Sequence, residues 1–92
     1  MRLKRFQKIV GRWEEKTFPT ATQETRITHL FREVKELQES NSPEEAADCF
    51  ILLLGHAHLG GYDLLKQAVK KMKINKGRTW GQPDAEGVQE HI

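Results

Sequence analysis

The sequence predicts an all-α protein, a small bundle of about four helices forming one domain over residues 1–92. Three observations carry this. Apolar residues recur at steps of three and four, the helical period, and no stretch alternates as a half-buried strand requires. Helix-start and helix-stop signals divide the periodic stretches into four. The composition, 37% hydrophobic and 30% charged, suits amphipathic helices with solvated outer faces. A chain of 92 residues buries a limited share of its surface; many chains of this size fold alone, and others share a core with a second copy.

The first helix is expected from Leu3 to about Trp13, with Leu3, Phe6, Ile9, Val10 and Trp13 on its apolar face. Pro19 breaks the chain after it. A second helix starts near Thr22 or Thr25 and runs to about Glu39, with Ile27, Leu30, Phe31, Val34 and Leu37 as one stripe. Ser40 to Pro43 interrupts it. Ser42 then fits an N-cap, Pro43 the first helical position and Glu45 the partner in a capping box. The third helix reaches about His58 and is apolar on nearly every side between Ala46 and Leu54, which predicts a central, buried helix. Gly60 and Gly61 end it. A fourth runs from Tyr62 to about Asn75, with Leu64, Leu65, Ala68, Val69 and Met72 at helical spacing. The tail from Gly77 is expected to be irregular.

The net charge is only +2, from 15 basic and 13 acidic residues, too balanced to imply nucleic-acid binding. The charges are nevertheless blocked. Glu33, Glu36, Glu39, Glu44, Glu45 and Asp48 make the middle acidic. Lys66, Lys70, Lys71, Lys73, Lys76 and Arg78 follow without an intervening acid. Such blocks more often mark ordinary solvated faces than a site. The single Cys49 excludes an internal disulfide and a multi-thiolate zinc cluster, and fits a reducing, cytoplasmic setting. The basic N-terminus lacks the apolar stretch of a signal peptide. The longest apolar run, Cys49–Leu54, is far too short to span a membrane.

Two acidic dyads stand out. Glu33 and Glu36 are three apart on the second helix, and Glu45 and Asp48 are three apart on the third, so each pair shares a helix face. Two antiparallel helices joined by a short turn can bring all four carboxylates together. Such a cluster wants a cation, and hard oxygen ligands suit Mg²⁺ or Mn²⁺ rather than zinc. Each residue also has a plain explanation. Glu33 and Glu36 could be solvated, and Glu45 could serve only the capping box. Asp48, one residue before the apolar run, is the hardest to dismiss, because a buried carboxylate needs a partner or a metal.

Lys71, Asn75 and Arg78 are spaced four then three and share a face if the fourth helix continues that far. They suit phosphate oxygens, although a basic helix end also complements the helix dipole. Trp80 and Trp13 can stack on a base or pack against the core. His29, four residues before Glu33, can hydrogen-bond a ligand or sit idle on the surface. His56 and His58, two apart, point to different sides of a helix and make a poor metal pair. No P-loop pattern is present.

Three segments together resemble the MazG-like all-α NTP pyrophosphohydrolases, and within them the dATP/dGTP pyrophosphohydrolase group common in phages. They are His29-Leu-Phe-Arg-Glu33-Val-Lys-Glu36-Leu, Glu45-Ala-Ala-Asp48, and Lys71-Met-Lys-Ile-Asn75-Lys-Gly-Arg78-Thr-Trp80. Trp13 with Thr17-Phe18-Pro19 adds to the likeness, which covers about residues 10–91. The acidic spacing alone is a weak motif; the ordered set is more specific. The family often has two adjacent Glu in its first motif, and Arg32 stands in the first of those places here, so a fifth acidic ligand is not expected. The resemblance implies a homodimer or homotetramer, free of nucleic acid and membrane, in the cytoplasm (the host's, for a phage protein). It implies Mg²⁺- or Mn²⁺-dependent hydrolysis of a purine dNTP, dGTP or dATP, to dNMP and pyrophosphate. One dGTP-selective phage subgroup supplies dGMP for 2-aminoadenine DNA. Glu33, Glu36, Glu45 and Asp48 match the metal-binding carboxylates, with Glu36 and Glu33 closest to the chemistry. Lys71, Asn75 and Arg78 match the phosphate side, and Trp80, Trp13 and His29 lie where substrate contacts are expected. The competing readings are a noncatalytic helical module that binds a nucleotide or protein, and a nucleic-acid-binding bundle whose affinity would fall steeply with salt.

Overall fold

The computed structural model describes residues 2–92. Four helices follow one another: α1 (Arg2–Thr17), α2 (Gln23–Ser40), α3 (Pro43–Gly60) and α4 (Leu64–Lys76). Local chemistry sets their ends. At the start of α2, Thr22 and Thr25 cap each other: the Thr25 N–H donates to Thr22 Oγ1 at 3.1 Å and the Thr22 N–H to Thr25 Oγ1 at 2.9 Å. Asn41 closes α2 in the left-handed region, at φ 51° and ψ 28°, a conformation that Asn tolerates better than most residues. Ser42 caps α3, its Oγ accepting from the Glu44 and Glu45 amides at 3.1 and 3.4 Å. Gly61, at φ 72°, ends it.

The α2–α3 hairpin is the main packing unit, and α1 lies against α3. The fourth helix touches α1 and α3 but not α2. Gln7 fastens its beginning: Nε2 donates to the Tyr62 carbonyl at 2.7 Å, and Oε1 accepts from the Leu64 amide at 3.1 Å. Helix α3 is central, as expected. Its burial, however, is confined to its second half, at Leu52, Leu54, Gly55 and Ala57. Ala46, Ala47, Phe50 and Leu53 are exposed, because α1 and α2 do not enclose that end.

Three further expectations are corrected. The buried face of α1 carries Gln7, Val10, Gly11 and Glu14, whereas Phe6, Ile9 and Trp13 of the expected stripe are exposed. Spacings of three and four reveal that a face is apolar, not which neighbour covers it. The helix also runs a turn further than expected, to Thr17. The tail beyond Gly77 is not wholly irregular. Trp80 and His91 form an isolated antiparallel bridge, and the Gly81 amide donates to the Glu90 carbonyl at 2.8 Å.

The single chain is expanded. Its radius of gyration is 15.3 Å, against about 12 Å for a compact domain of this length. Its accessible surface is 7345 Å², against about 5,500 Å² for a folded monomer of this mass. The excess includes large apolar side chains: Phe31 is 73% exposed, and no residue of α4 is buried. Among the described residues, no helix is long and apolar enough to cross a membrane.

Candidate metal centre

The short Asn41–Ser42 link turns α3 back along α2 and sets the two acidic dyads side by side. One carboxylate oxygen from each of Glu33, Glu45 and Asp48 lies within 4.8 Å of the other two. Glu36 completes the group, within hydrogen-bonding reach of Glu33 and Glu45. The buried oxygens Glu33 Oε2 and Glu45 Oε2 have no hydrogen-bond donor. An anionic oxygen in that position needs a proton or a cation, so the residues present fit a hard divalent ion.

The carboxyl groups respond to this crowding. Glu45 is pushed up to about 7, first by withdrawal from solvent and then by Glu33 and Glu36. Glu36 is also raised, mainly through its hydrogen bond with Glu33 and the Glu33 charge. Glu33 is lowered, principally because the Glu36 hydrogen bond favours its ionised form. The crowding thus favours the ionised form at Glu33 and the protonated form at Glu36 and Glu45, the usual compromise of like charges at short range.

The structure separates the two roles left open for Glu45. Its backbone amide contributes to the Ser42 cap, but its side chain does not close a capping box, since the Ser42 amide donates to Ser40 Oγ at 3.2 Å instead. That leaves the Glu45 carboxyl free for the cluster. Asp48 corrects another expectation. It was expected to be buried among apolar neighbours, but it is exposed, because the first half of α3 is uncovered. Its position within the cluster, rather than burial, marks it out.

His29 reaches Glu33 directly, with Nε2 3.1 Å from Oε1. Beside the cluster is a cavity of about 160 Å³ that includes Glu33 and Asp48 in its lining. Trp13, Phe18 and Leu52 contribute apolar surface to it. Trp13 and Phe18 meet edge to face, with centroids 5.5 Å apart. His56 and His58 do serve different neighbours: His56 Nδ1 lies 2.7 Å from the Tyr62 hydroxyl, and His58 Nε2 lies 2.6 Å from Glu15 Oε1.

The basic group is only partly assembled. α4 stops at Lys76, so Arg78 lies beyond the helix and reaches back, Nη1 donating to Asn75 Oδ1 at 3.4 Å. Trp80 Nε1 donates to the Asn75 carbonyl at 3.0 Å. Lys71 is exposed on α4. Because α4 makes no contact with α2, Lys71 and Asn75 are not packed against the Glu33–Glu36 helix of their own chain.

Sequence reasoning missed the Glu14–Arg26 pair. Arg26 Nη1 donates to Glu14 Oε2 at 3.0 Å, and both residues are only 6% exposed. The Arg26 guanidinium lies 5.0 Å from the centre of the Phe18 ring. Burial raises the Glu14 carboxyl despite the opposing pull of Arg26. The partners lie on either side of the Pro19 break, so helical spacing could not have linked them. Nor did an apolar face mark the pair, since Glu14 shares its side of α1 with Gln7 and Gly11 as well as Val10.

The carboxylate cluster on the α2–α3 hairpin, beside an aromatic-lined cavity, makes this all-α protein a candidate for binding a hard cation. The chain belongs to the dATP/dGTP pyrophosphohydrolase family, whose model matches residues 6–92. It is 32% identical over 89 residues to a dATP/dGTP diphosphohydrolase of Cyanophage S-2L, covering 94% of this chain and 84% of that one. It is 35% identical over 88 residues to a dATP/dGTP diphosphohydrolase of Salmonella phage PMBT28, covering 94% of this chain but spanning only 30% of that longer protein. The fold matches the Cyanophage S-2L MazG-like pyrophosphohydrolase bound to dGDP and three catalytic Mn²⁺ ions per active site, at a TM-score of 0.86 and 30% identity. That match covers 98% of this chain and 92% of the other.

Proposed function

We propose that this protein is a metal-dependent pyrophosphohydrolase that converts a purine dNTP to dNMP and pyrophosphate. The observation that carries the reading is the meeting of Glu33, Glu45 and Asp48 oxygens within 4.8 Å, two of whose neighbouring buried oxygens lack a donor. Glu33, Glu36, Glu45 and Asp48 would hold Mg²⁺ or Mn²⁺. When bound, these ions supply Lewis-acid stabilisation of the triphosphate charge. Glu36, exposed at the edge of the group, orients the attacking water with help from Glu33. Trp13 lines the neighbouring cavity and offers a surface for the base, and His29 steadies Glu33.

Lys71, Asn75, Arg78 and Trp80 belong to the phosphate side of the reaction in this reading, and a second copy of the chain completes that side. The expanded single chain, the uncovered α4 and the exposed Phe31 support a homodimer or homotetramer. The setting proposed is the cytoplasm, that of the host for a phage protein, where the product could feed a modified DNA.

The test is incubation with each dNTP and NTP in Mg²⁺ or Mn²⁺, with identification of the products. Monophosphate plus pyrophosphate is expected from a purine dNTP. Diphosphate plus phosphate, or no turnover with either metal, overturns the reading.

A further inference from the structure

The buried Glu14–Arg26 pair stabilises the fold less than its position suggests. Burial raises the Glu14 carboxyl in spite of Arg26, so the pairing does not fully offset withdrawal from water. Glu14 Oε1 and Arg26 Nε, both buried, find no hydrogen-bond partner. Three helices nonetheless hold the pair. Glu14 comes from α1, Arg26 from α2, and Gly55 of α3 leaves the space that Glu14 Oε1 occupies. What the pair fixes is the ring beside it. The Arg26 guanidinium sits 5.0 Å from the centre of the Phe18 ring, within the range of a cation–π contact. Phe18 in turn meets Trp13 edge to face at 5.5 Å. Phe18 stands outside the helices, in the link between α1 and α2, where side chains are ordinarily less constrained. Both rings line the cavity of about 160 Å³ that also includes Glu33 and Asp48.

We propose that Glu14 and Arg26 are positioning residues: through Phe18 they hold the aromatic wall of this cavity at a set distance from the carboxylate cluster. The inference rests on the nucleotide reading of the cavity. Neither residue needs to touch the ligand. Arg26 supplies a flat cation for the Phe18 ring, and Glu14 fixes the guanidinium, its Oε2 accepting from Nη1 at 3.0 Å. Phe18 then limits the tilt of Trp13, the ring offered to the base. Phosphates held at the carboxylates and a base held at the rings belong to one ligand, so the spacing between the two ends matters as much as either contact. A lysine in place of Arg26 could still pair with Glu14, but it is a point charge with no plane to lay against a ring.

The experiment is calorimetric binding of dGDP and of inorganic pyrophosphate to the full chain in Mn²⁺, for the native protein, Arg26→Lys, Phe18→Leu and the double variant. Pyrophosphate can use only the carboxylate end, whereas dGDP uses both. Arg26→Lys and Phe18→Leu should each weaken dGDP at least fivefold and change pyrophosphate less than twofold. The double variant should lose no more than Phe18→Leu alone, because Arg26 acts through that ring. Parallel losses for both ligands overturn the proposal and leave the pair as a prop of the fold. Losses that multiply in the double variant also overturn it, since Arg26 would then act by another route. So does an unchanged dGDP affinity in either folded single variant. If Arg26→Lys does not fold, Glu14→Gln takes its place in the same comparison with Phe18→Leu, which alters a residue 38% exposed. A native protein that binds neither ligand refutes the nucleotide reading and this proposal with it. Selective loss of dGDP in the variants, without turnover of any nucleotide by the native protein, would overturn the hydrolase reading while supporting this one.

Discussion

His29 and Glu33 sit one helical turn apart on α2, and the His29 Nε2 lies 3.1 Å from Glu33 Oε1. The imidazole thus takes one oxygen of a carboxylate whose other oxygen, Oε2, has no donor. A ligand oriented in this way meets a cation with less freedom to lose. Outer partners of this type affect metal affinity or activity by about 10–100-fold. His29→Ala should weaken Mn²⁺ binding by about tenfold, and His29→Gln, which keeps a donor, should restore part of the loss. A Mn²⁺ titration reads both; unchanged affinity in His29→Ala would remove the positioning role.

Metal-free protein should become less stable as pH rises across the neutral range. Glu45 moves from an ordinary 4.5 to about 7 in the fold. The folded chain therefore holds a proton that the unfolded chain releases. That contribution is fully present below about pH 4.5 and is lost as pH rises through about 7. Glu36, also raised, acts in the same direction, and Glu33, lowered, opposes it. With a divalent ion held by these carboxylates, as proposed, the ion would take the proton's place, so Mn²⁺ should flatten the decline. Unfolding midpoints at pH 5 and pH 8, with EDTA and with Mn²⁺, test this; a metal-free midpoint that climbs with pH contradicts it.

Gly55 should not tolerate a methyl group. A Cβ placed there would run into the Glu14 carboxylate, which is tied to Arg26. Overpacking of this kind costs about 1–3 kcal/mol, more than the gain of up to ~1 kcal/mol that Ala usually brings to a helix. Gly55→Ala should therefore destabilise, whereas Gly77→Ala, whose Cβ would meet only ordinary contacts, should be close to neutral. Urea unfolding of both variants decides, and a stabilised Gly55→Ala would show that the pair can shift aside.

Charge placed on the uncovered apolar faces should disperse an assembly without touching the carboxylates. Phe31→Asp on α2 and Val69→Asp on α4 alter side chains that are 73% and 50% exposed in the single chain. Light scattering should give a dimer or tetramer for the native protein and a smaller species for the variants. A native protein that stays monomeric at high concentration would refute the expected assembly.

Much of this architecture was legible because its signals are local. Ser42, Pro43 and Gly61 mark their helix ends through their own backbone preferences, and Glu33, Glu36, Glu45 and Asp48 declare two faces by spacing. What remained hidden depends on partners distant in sequence. Gln7 is buried because it holds the backbone at Tyr62 and Leu64, more than fifty residues away. Glu14 is buried because Arg26 lies across a turn. Periodicity also assigned Phe6, Ile9 and Trp13 to a core that their own chain does not supply. Asp48 was placed correctly in the cluster for a reason that fails, since the apolar run following it does not enclose it.

The link between α2 and α3 is only Asn41 and Ser42, and this has a bearing on how such a chain can vary. Surface connections ordinarily accept insertions. Here one added residue carried into the start of α3 would turn that helix by roughly 100° relative to α2. Glu45 and Asp48 would swing away from Glu33 and Glu36, although every residue of the four were retained. The link works as a gauge: its length, as much as the identity of the acids, is what a functioning variant has to inherit.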